Sequence, residues 1–412
     1  MVLLWMAEGI LQSSNKKRVE EVGEEYFEDL ISMSFFQPSN NNYEEEPTFL
    51  MHDLIHDLAI FVSGEFCLMM NNISKCSHKV RHFSYMQRCA KDIDPKEFEE
   101  LFKAKCLRTI LWHEGSKYDG LELFKIKNLG KSFPRLRVLS TTDCDITKLP
   151  NSIGNLKYLR YLKLDCKYIK DIPNTICMLY NLETLLLERC RKVTRLPTDI
   201  GNLIKLQHLS VSWNLLEMPL QLGKLQNLQT LNRFVVGRNR DSGGIKLLNE
   251  FQDLHGSLLI EGLENVSSLE EVTDATLKSK KFLSHLCLAW GDYLHNEGEL
   301  LSALQPHPNL KALAISNYKG NNFPIWMGDH RCLSNLVSLK MVDCSNCSFL
   351  PSLGQLPSLK DLVIGHLNSV VRIGSEFYYS ASVDSSSVAI QTKPFFTSLE
   401  SLRFQNLSNL EE

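Results

Sequence analysis

Leucine pairs recur through the middle of the chain at a nearly constant interval. The text Leu-x-x-Leu appears at Leu136/Leu139, Leu159/Leu162, Leu182/Leu185, Leu206/Leu209 and Leu228/Leu231, so each pair begins 22 to 24 residues after the one before it. Alternate side chains of a strand face the same side, so the leucines of each stretch can point into one core. The pattern predicts one strand in every period and a core that each period shares with its neighbours.

An apolar-x-x-apolar-Pro step follows each leucine stretch. These steps are Ile146–Pro150, Ile169–Pro173, Val193–Pro197 and Leu215–Pro219. An Ile-Gly-Asn-Leu segment or a close variant comes next, as at Ile153–Leu156. Strand, proline step and return segment together are the pattern of a leucine-rich repeat. We therefore predict the α/β fold class, with a leucine-rich-repeat solenoid whose strands form a curved parallel sheet.

A small polar side chain occupies the position just after each strand. The residues there are Cys144, Cys166, Cys190, Asn214, Asn317 and Cys344. Such a group can hydrogen-bond the backbone of the turn between coils, so we predict that these cysteines are structural. The one Cys-x-x-Cys, Cys344 to Cys347, has no second pair to complete a zinc site, and we predict no metal site.

The regular spacing lapses after Leu231. The interrupting stretch, 232–282, contains a glycine-rich loop and two predicted helices, near Ile245–Leu254 and Val266–Lys278. Strands then resume at Leu283 and recur as far as Leu399, with the serine-rich stretch 375–392 as a loop between coils.

The limits of the repeat domain are less regular than its middle. Weaker strands at Val80–Tyr85 and Leu107–Leu111 are predicted to begin it. The chain ends at Leu410 and two glutamates without a recognisable polar cap, and it begins like the middle of a folded domain. We expect a repeat domain over 80–412 that is truncated at its C-terminus.

The residues before the repeats show a helical period. Apolar side chains three and four positions apart predict a helix with one buried face, which Ser13 or Ser14 can cap. The residues of this face are Val19, Val22, Tyr26, Leu30 and Met33.

A strand at Thr48–Met51 and a second helix at Asp53–Ser63 are predicted next. The expected inward residues of that helix are Leu54, Leu58 and Phe61. The order helix, loop, strand, helix predicts a partial winged-helix α+β domain over 1–63, followed by a connector over 64–79.

Composition narrows the classes of function. The 412 residues carry 45 basic and 48 acidic side chains, a formal net charge of −3. No apolar run approaches the roughly 18 residues of a membrane helix, so we predict no membrane span. The near-neutral balance opposes general nucleic-acid binding, which depends on neutralising phosphates. The apolar start lacks the basic region of a signal peptide, so we expect reduced thiols and a cytoplasmic location.

Three ordered motifs in the first 60 residues carry a resemblance to a known family. They are Leu4-Trp-Met-Ala-Glu-Gly9, Asp29-Leu-Ile-Ser-Met-Ser-Phe-Phe36 and Met51-His-Asp-Leu-Ile-His-Asp-Leu-Ala59. They resemble the winged-helix end of plant nucleotide-binding leucine-rich-repeat disease-resistance proteins of the coiled-coil class. The segments Val80–Tyr85 and Gly256–Val266 resemble that family's entry into the repeats and its interrupting segment.

The resemblance implies an intracellular immune receptor that ADP holds closed and that opens into an oligomer when ATP replaces ADP. His52 matches the family histidine that contacts the β-phosphate of ADP, and Asp53 is expected to support it from the start of the next helix. An imidazole N–H can donate to a phosphate oxygen. The resemblance also implies that the repeats fold back on the nucleotide-binding domain.

The chain itself lacks the main nucleotide-binding motif. Its one Gly-Lys-Ser, at Gly130-Lys131-Ser132, has Lys125 where the phosphate loop requires a glycine. His52 and His56 have the spacing of zinc-protease ligands, but Asp53 stands where those enzymes need glutamate. We expect no catalytic residue, no ATP hydrolysis and no nucleotide bound by these residues alone, ADP or ATP being bound in the full-length family.

The remaining hypothesis is protein binding by the strand positions beside the inward leucines. These positions are Tyr161, Lys163, Asp165, Thr184, Leu186, Glu188, His208, Ser210, Ser212, Ser338, Lys340 and Val342. The partner is expected to be a pathogen effector or a guarded host protein. The alternative is a standalone leucine-rich-repeat interaction module or adaptor that binds no nucleotide.

Overall fold

The computed structural model describes residues 1–12, 17–39, 48–86, 99–113, 129–239, 243–291, 297–378 and 395–410. They form two compact units, Met1–Val193 and Thr194–Glu412. Among the described residues, no helix combines the length and the apolar character needed to cross a membrane.

The first unit begins with helices and a small antiparallel sheet. Its elements are α1 (Val2–Glu8), α2 (Val19–Ser32), β1 (Phe36–Pro38), β2 (Phe49–Met51) and α3 (Asp53–Ser63). Strands β1 and β2 pair antiparallel, with Phe36 opposite Met51. Both long helices and the second strand lie where the sequence predicts them. Ser13 and Ser14 lie outside the described residues, and α2 has Arg18 at its N-cap.

The buried face of α2 differs from the predicted one. Tyr26 and Met33 are exposed, whereas Phe27 packs its ring against Trp5, Phe36 and Phe49. The aromatic cluster therefore turns the helix so that Phe27, instead of Tyr26, faces the domain. Spacing alone could not decide which of the two adjacent aromatic residues, Tyr26 or Phe27, faces the domain.

The prediction for α3 is wrong in its burial. Leu54, Leu58 and Phe61 were expected inward, but all three are exposed, Phe61 at 83%. The helix forms over the predicted residues because its apolar period and its cap are local features. No described element packs over its apolar side, so the apolar spacing of the helix did not predict which of its side chains are buried.

Six parallel strands follow in the first unit. They are β3 (Cys67–Met69), β4 (His82–Met86), β5 (Thr109–His113), β6 (Val138–Cys144), β7 (Tyr161–Cys166) and β8 (Thr184–Leu186), joined in that order. The predicted connector, 64–79, therefore contains the first strand of the repeat sheet. Helix α4 (Leu129–Ser132) and 3-10 turns return the chain between strands. These turns are Gly64–Phe66, Met70–Lys75, Leu101–Lys103, Asn151–Asn155 and Asn174–Met178.

The second unit is also built from parallel strands. They are β9 (His208–Ser210), β10 (Thr230–Leu231), β11 (Arg233–Val235), β12 (Gly256–Glu261), β13 (Leu283–Ala289), β14 (Ala312–Ser316), β15 (Ser338–Val342), β16 (Asp361–Gly365) and β17 (Ser401–Gln405). Strand β9 pairs with β10, and β11 to β17 pair in chain order. The return segments include α5 (Leu269–Ala275), α6 (Glu297–Ala303) and 3-10 turns. Those turns are Ile200–Asn202, Leu220–Lys224, Ile245–Glu250, Leu263–Asn265, Leu277–Ser279, Ile325–Met327, Leu353–Gln355 and Ser375–Phe377.

The predicted interruption is itself part of the sheet. Strands β11 and β12 fall inside 232–282 and pair in parallel with each other, and β12 pairs with β13. The first predicted helix is a 3-10 turn, Ile245–Glu250, and the second contains the α-helix Leu269–Ala275. Most of the serine-rich stretch lies outside the described residues.

The polar position at the end of a strand makes the predicted hydrogen bond at Cys190 and at Asn317. The thiol of Cys190 donates to the carbonyl of Leu164 in the preceding coil, at 3.1 Å. In the second unit, Asn317 Nδ2 donates to the carbonyls of Trp290 and Gly291, each at 3.0 Å. These side chains satisfy turn carbonyls that would otherwise be buried without a partner.

A second polar ladder, which the sequence analysis missed, lies before the strands. Asparagine side chains donate Nδ2 to a carbonyl of the preceding coil, at 2.8 to 3.3 Å. The pairs are Asn181 to Lys157, Asn227 to Ile204, Asn309 to Lys281 and Asn335 to Pro308. Each asparagine directly precedes the first leucine of its repeat, which was the available sequence signal.

Candidate partner surface and phosphate contact

His52 lies at the N-cap of α3, where its ring is exposed. The backbone N–H of Leu54 donates to its Nδ1, at 3.2 Å. An accepting Nδ1 carries no proton, so the neutral ring has its proton on Nε2. The cap thus sets a tautomer whose remaining N–H can donate to an outside acceptor such as a phosphate oxygen.

Asp53 occupies the first turn of α3 and is also exposed. Its carboxylate suits the positive end of the helix. The cap hydrogen bond is made by His52, so the supporting role predicted for Asp53 has no hydrogen bond behind it among the described contacts. The cap hydrogen bond therefore accounts for the fixed position of the His52 ring at the start of α3.

Helix α1 packs on the strand face of the repeats within the first unit. Ala7 forms a buried cluster with Val138 and Tyr161, and Leu3, Leu4 and Leu186 pack beside it. Tyr161 is only 6% exposed. A predicted partner-binding residue is therefore covered by the winged-helix part of the same unit.

Glu8, at the end of α1, adds polar contacts to the same face. The Thr109 hydroxyl donates to its carboxylate, and Arg137 donates to its backbone carbonyl at 2.8 Å. The ring of His82 lies 3.9 Å from that carboxylate. Burial lowers the pKa of His82, and the Glu8 carboxylate opposes that shift. Helix α1 is thus held by apolar packing and by two hydrogen bonds, one from Thr109 of β5 and one from Arg137, which directly precedes β6.

The other predicted partner residues of the first unit differ in access. Thr184 and Asp165 are buried, Lys163 and Leu186 are half-buried, and Glu188 is exposed. Burial raises the pKa of Asp165, and Arg189, 3.8 Å away, lowers it in part. A partner that approaches this face meets Lys163 and Glu188 first.

The predicted residues of the second unit divide in the same way. His208, Ser210 and Ser212 are buried, and His208 Nδ1 lies 3.0 Å from the hydroxyl of Thr230. In β15, by contrast, Ser338 and Val342 are half-buried and Lys340 is exposed. The strand positions are therefore not one uniform surface, because the predicted residues at β9 are buried whereas those of β15 are half-buried or exposed.

A separate crevice lies where β10 and β11 change partners in the second unit. Backbone pairing passes from β9 to β12 at Asn232, and the Leu259 N–H donates to the Asn232 carbonyl at 3.0 Å. The Asn232 side chain replaces the lost pairing, since it accepts from the Val211 N–H at 2.9 Å and donates to the Val211 carbonyl at 3.2 Å.

Arg233, the next residue, is a buried cation at this change of partners. Its guanidinium donates to the carbonyls of Ser212 and Leu215, at 2.8 and 3.4 Å, and forms an ion pair with Glu261. The exposed indole of Trp213 lies over it, with 5.9 Å between the guanidinium carbon and the ring centroid. A buried cation is thus neutralised and hydrogen-bonded, as a buried charge requires. Nothing in the leucine period indicated either Asn232 or Arg233.

The crevice has a volume of about 620 Å³. Its apolar wall includes Leu215, Leu216, Val235, Val236, Ala289 and Trp290, and its polar rim includes Arg195, Glu217, Arg238, Asn239, Glu261 and Glu264. In the described part of the chain, the crevice included, histidine, cysteine and carboxylate side chains form no cluster suited to a metal ion.

Two family models match the chain. The disease resistance protein winged helix domain matches residues 1–59. The R13L1/DRL21 leucine-rich repeats match residues 245–367. The first range holds the His52 cap, and the second holds β12 to β16.

Curated relatives match the whole chain. A putative disease resistance protein of Arabidopsis thaliana is 38% identical over 100% of the chain, and the putative disease resistance RPP13-like protein 1 of the same plant is 37% identical over 100%. The putative disease resistance protein RGA4 of Solanum bulbocastanum is 33% identical, again over 100%. The chain spans 29%, 40% and 38% of the length of these three relatives. Among solved structures, an internalin of Listeria monocytogenes matches 70% of the chain and 85% of its own chain at 16% identity, with a TM-score of 0.47.

Proposed function

The chain belongs to the plant disease resistance proteins, and we propose that it supplies the sensing and restraining part of an intracellular immune receptor. In this role the leucine-rich repeats bind a pathogen effector or a guarded host protein in the cytoplasm. The observation that carries the proposal is the packing of α1 on the repeat strands. It joins the winged-helix residues to the proposed sensing surface through Ala7 and Tyr161.

Restraint follows from competition for one surface. The strand face around Tyr161 cannot contact α1 and a partner at the same time, because Tyr161 is already buried. A partner that binds there with enough energy displaces α1 and moves the winged helix. Ligand binding shifts a conformational equilibrium only through such a difference between the two states.

The nucleotide part of the proposal rests on His52. In the longer protein, His52 would donate its Nε2–H to a phosphate of bound ADP, and the N-terminus of α3 favours the same negative charge. Bound ADP would supply the group that this histidine senses. His52 is the one phosphate contact that we propose among the described residues, and we propose that these residues do not hydrolyse ATP. Exchange for ATP and oligomer formation would then require the nucleotide-binding domain.

We expect the restraint to fail when a charge enters the α1 contact. The change Tyr161→Arg in the native protein places a guanidinium against Ala7 and Val138, which should expel α1. Expressed in leaf tissue without a pathogen, this variant should cause cell death where the wild type does not. Tyr158→Arg is the matched control, because Tyr158 is 61% exposed in the same repeat.

A second variant guards against simple misfolding. Ala7→Arg attacks the same contact from the helix side, and its effect should match that of Tyr161→Arg. Immunoblots and circular dichroism must show both variants folded and abundant. If both accumulate as folded protein and leave the tissue silent, α1 does not restrain the receptor.

We expect ADP retention to depend on His52 in the longer protein. His52→Asn keeps a good helix cap but removes the outward N–H, so purified receptor should hold at least tenfold less ADP after dialysis. Released nucleotide is measured by chromatography. His56→Ala, one turn later on the same exposed helix, is the control. Equal ADP in wild type and His52→Asn would refute the phosphate contact.

A further inference from the structure

The crevice at the change of strand partners, lined by residues between Arg195 and Gly291 in the second unit, has the features of a binding site. It is distinct from the strand face that carries the proposed partner surface. We infer that this crevice binds a short segment of a partner protein through one uncharged aliphatic or aromatic side chain. The inference rests on the proposed function, in which the repeats bind a protein.

The crevice exists because the fold cannot close it. Backbone pairing moves from β9 to β12 at Asn232, so the turn at Ser212–Glu217 and the turn after Val235 are not held together by a strand ladder. Two side chains at the change of partners, Asn232 and Arg233, take over the lost hydrogen bonds. Arg233 also contacts the lining residues Leu215 and Glu261, which are therefore fixed before any ligand arrives, and this lowers the ordering cost of binding.

The wall and the mouth are apolar. Leu215, Val235 and Val236 are buried side chains of the wall. In the lining Leu216 is 61% exposed, and the exposed indole of Trp213, outside the lining, lies over the Arg233 guanidinium. Covering such side chains removes apolar surface from water, and tryptophan is among the residues that contribute most to protein interfaces.

Charge decides which ligand the crevice fits. The lining of the crevice carries the arginines Arg195 and Arg238 and the carboxylates Glu217, Glu261 and Glu264. Arg233 lies outside the lining but is paired with Glu261, so that with Arg233 included three positive and three negative side chains cancel. Glu217 lies 3.5 Å from Arg195, Arg233 is paired with Glu261, and Glu264 accepts from the Gly291 N–H at 2.6 Å. A phosphate, a nucleotide or a highly charged peptide would find no net opposite charge here.

Size agrees with a side chain and its flanking backbone. A volume of about 620 Å³ lies within the roughly 300–1,000 Å³ of ordinary ligand pockets. At the rim the Asn239 amide donates to the Glu217 carboxylate at 2.7 Å, so the polar surround is already ordered. An apolar anchor with a polar surround is the usual composition of a protein-binding hot spot.

The test uses the purified chain and a display library of random heptapeptides. Peptides enriched on the wild-type chain are synthesised with blocked ends and titrated by calorimetry. Leu216→Arg places a charge at the mouth of the crevice and should weaken binding at least tenfold. Leu220→Arg is the matched control, because Leu220 is 58% exposed, four residues away and outside the crevice, and it should leave binding unchanged.

Each outcome separates the two proposals. Enriched peptides that share an apolar residue and lose affinity with Leu216→Arg support the crevice. Peptides that bind Leu216→Arg as well as wild type, but lose affinity with Lys340→Glu on β15, overturn the crevice and leave the strand-face proposal standing. No enrichment, or enrichment of charged peptides only, also overturns the crevice. Folding of every variant is checked by thermal unfolding.

Discussion

Burial of a single amine, that of Lys280, makes the stability of the second unit depend on pH. The side chain is 1% exposed and Nζ donates to the Phe251 carbonyl at 2.8 Å. Burial lowers its pKa to about 8, and Asp253 and Glu250 oppose the shift. The folded state therefore holds fewer protons than the unfolded chain between about pH 8 and pH 10.5, and stability rises with pH across that window.

We expect Lys280→Met to remove this dependence. Relative to the variant, the wild type should gain unfolding free energy between pH 8 and pH 10, because its amine no longer has to be buried as a charge. Urea unfolding at pH 7, 8.5 and 10 measures the difference. Lys281→Met, an exposed neighbour, is the control. A constant difference between Lys280→Met and wild type at all three pH values would show that the buried amine does not titrate in this range.

Side chains differ in how far the sequence could place them. The cysteines at the position after a strand could be placed from the strand period, because that position has the same surroundings in every coil. Tyr161 follows the same period, yet its burial depends on Ala7, more than 150 residues earlier in the chain. Its exposure could not be predicted from spacing, since α1 supplies the cover.

Successive coils approach each other closely at the return segments, and this limits which side chains fit there. A Cβ added at Gly154 would lie within 3.0 Å of the Thr175 carbonyl oxygen in the next coil. That oxygen belongs to the backbone and cannot move away cheaply. The glycine of the Ile-Gly-Asn-Leu segment is therefore a packing requirement between coils, and its φ is not positive.

We predict that Gly154→Ala lowers the unfolding free energy by about 1–3 kcal/mol, the range for overpacking. Chemical denaturation monitored by circular dichroism measures the change. At Gly244 a new Cβ would meet only Glu271 Oε2, at 3.6 Å. Gly244→Ala should therefore be neutral or stabilising by up to about 1 kcal/mol. Equal effects at the two sites would rule out the coil contact as the cause.

Elements were predicted where local pattern suffices. The strand period located β6 to β10 and β13 to β17, and the helical period located α2 and α3. Strands β11 and β12 were not predicted, because Arg233–Val235 and Gly256–Glu261 lack the repeated leucine spacing. The crevice depends on the change of partners at Asn232, which is a property of pairing between strands and leaves no periodic signal in one chain.

At the scale of the whole molecule, homology and repeat pattern agree on the order of the parts. The winged-helix match covers residues 1–59, and repeat strands follow from Cys67 onward. The sequence could predict this order because each part has its own local signature. It could not predict that the contacts divide into Met1–Val193 and Thr194–Glu412, since the leucine period runs through that boundary.

The buried thiols can test whether each unit unfolds as one body. Cys144 and Cys190 are buried in the first unit, and Cys344 and Cys347 in the second, whereas Cys67 is exposed. Burial raises the pKa of Cys344 to about 12, and the reactive thiolate is correspondingly scarce. At pH 8 iodoacetamide should modify Cys67 in the native chain and leave the other four unmodified until urea unfolds their unit.

Peptide mass spectrometry across a urea series gives an unfolding midpoint for each thiol. Because every coil is stabilised by its neighbours, Cys144 and Cys190 should share one midpoint, and Cys344 and Cys347 should share one. Separate midpoints within a pair would mean that the coils of that unit unfold one after another.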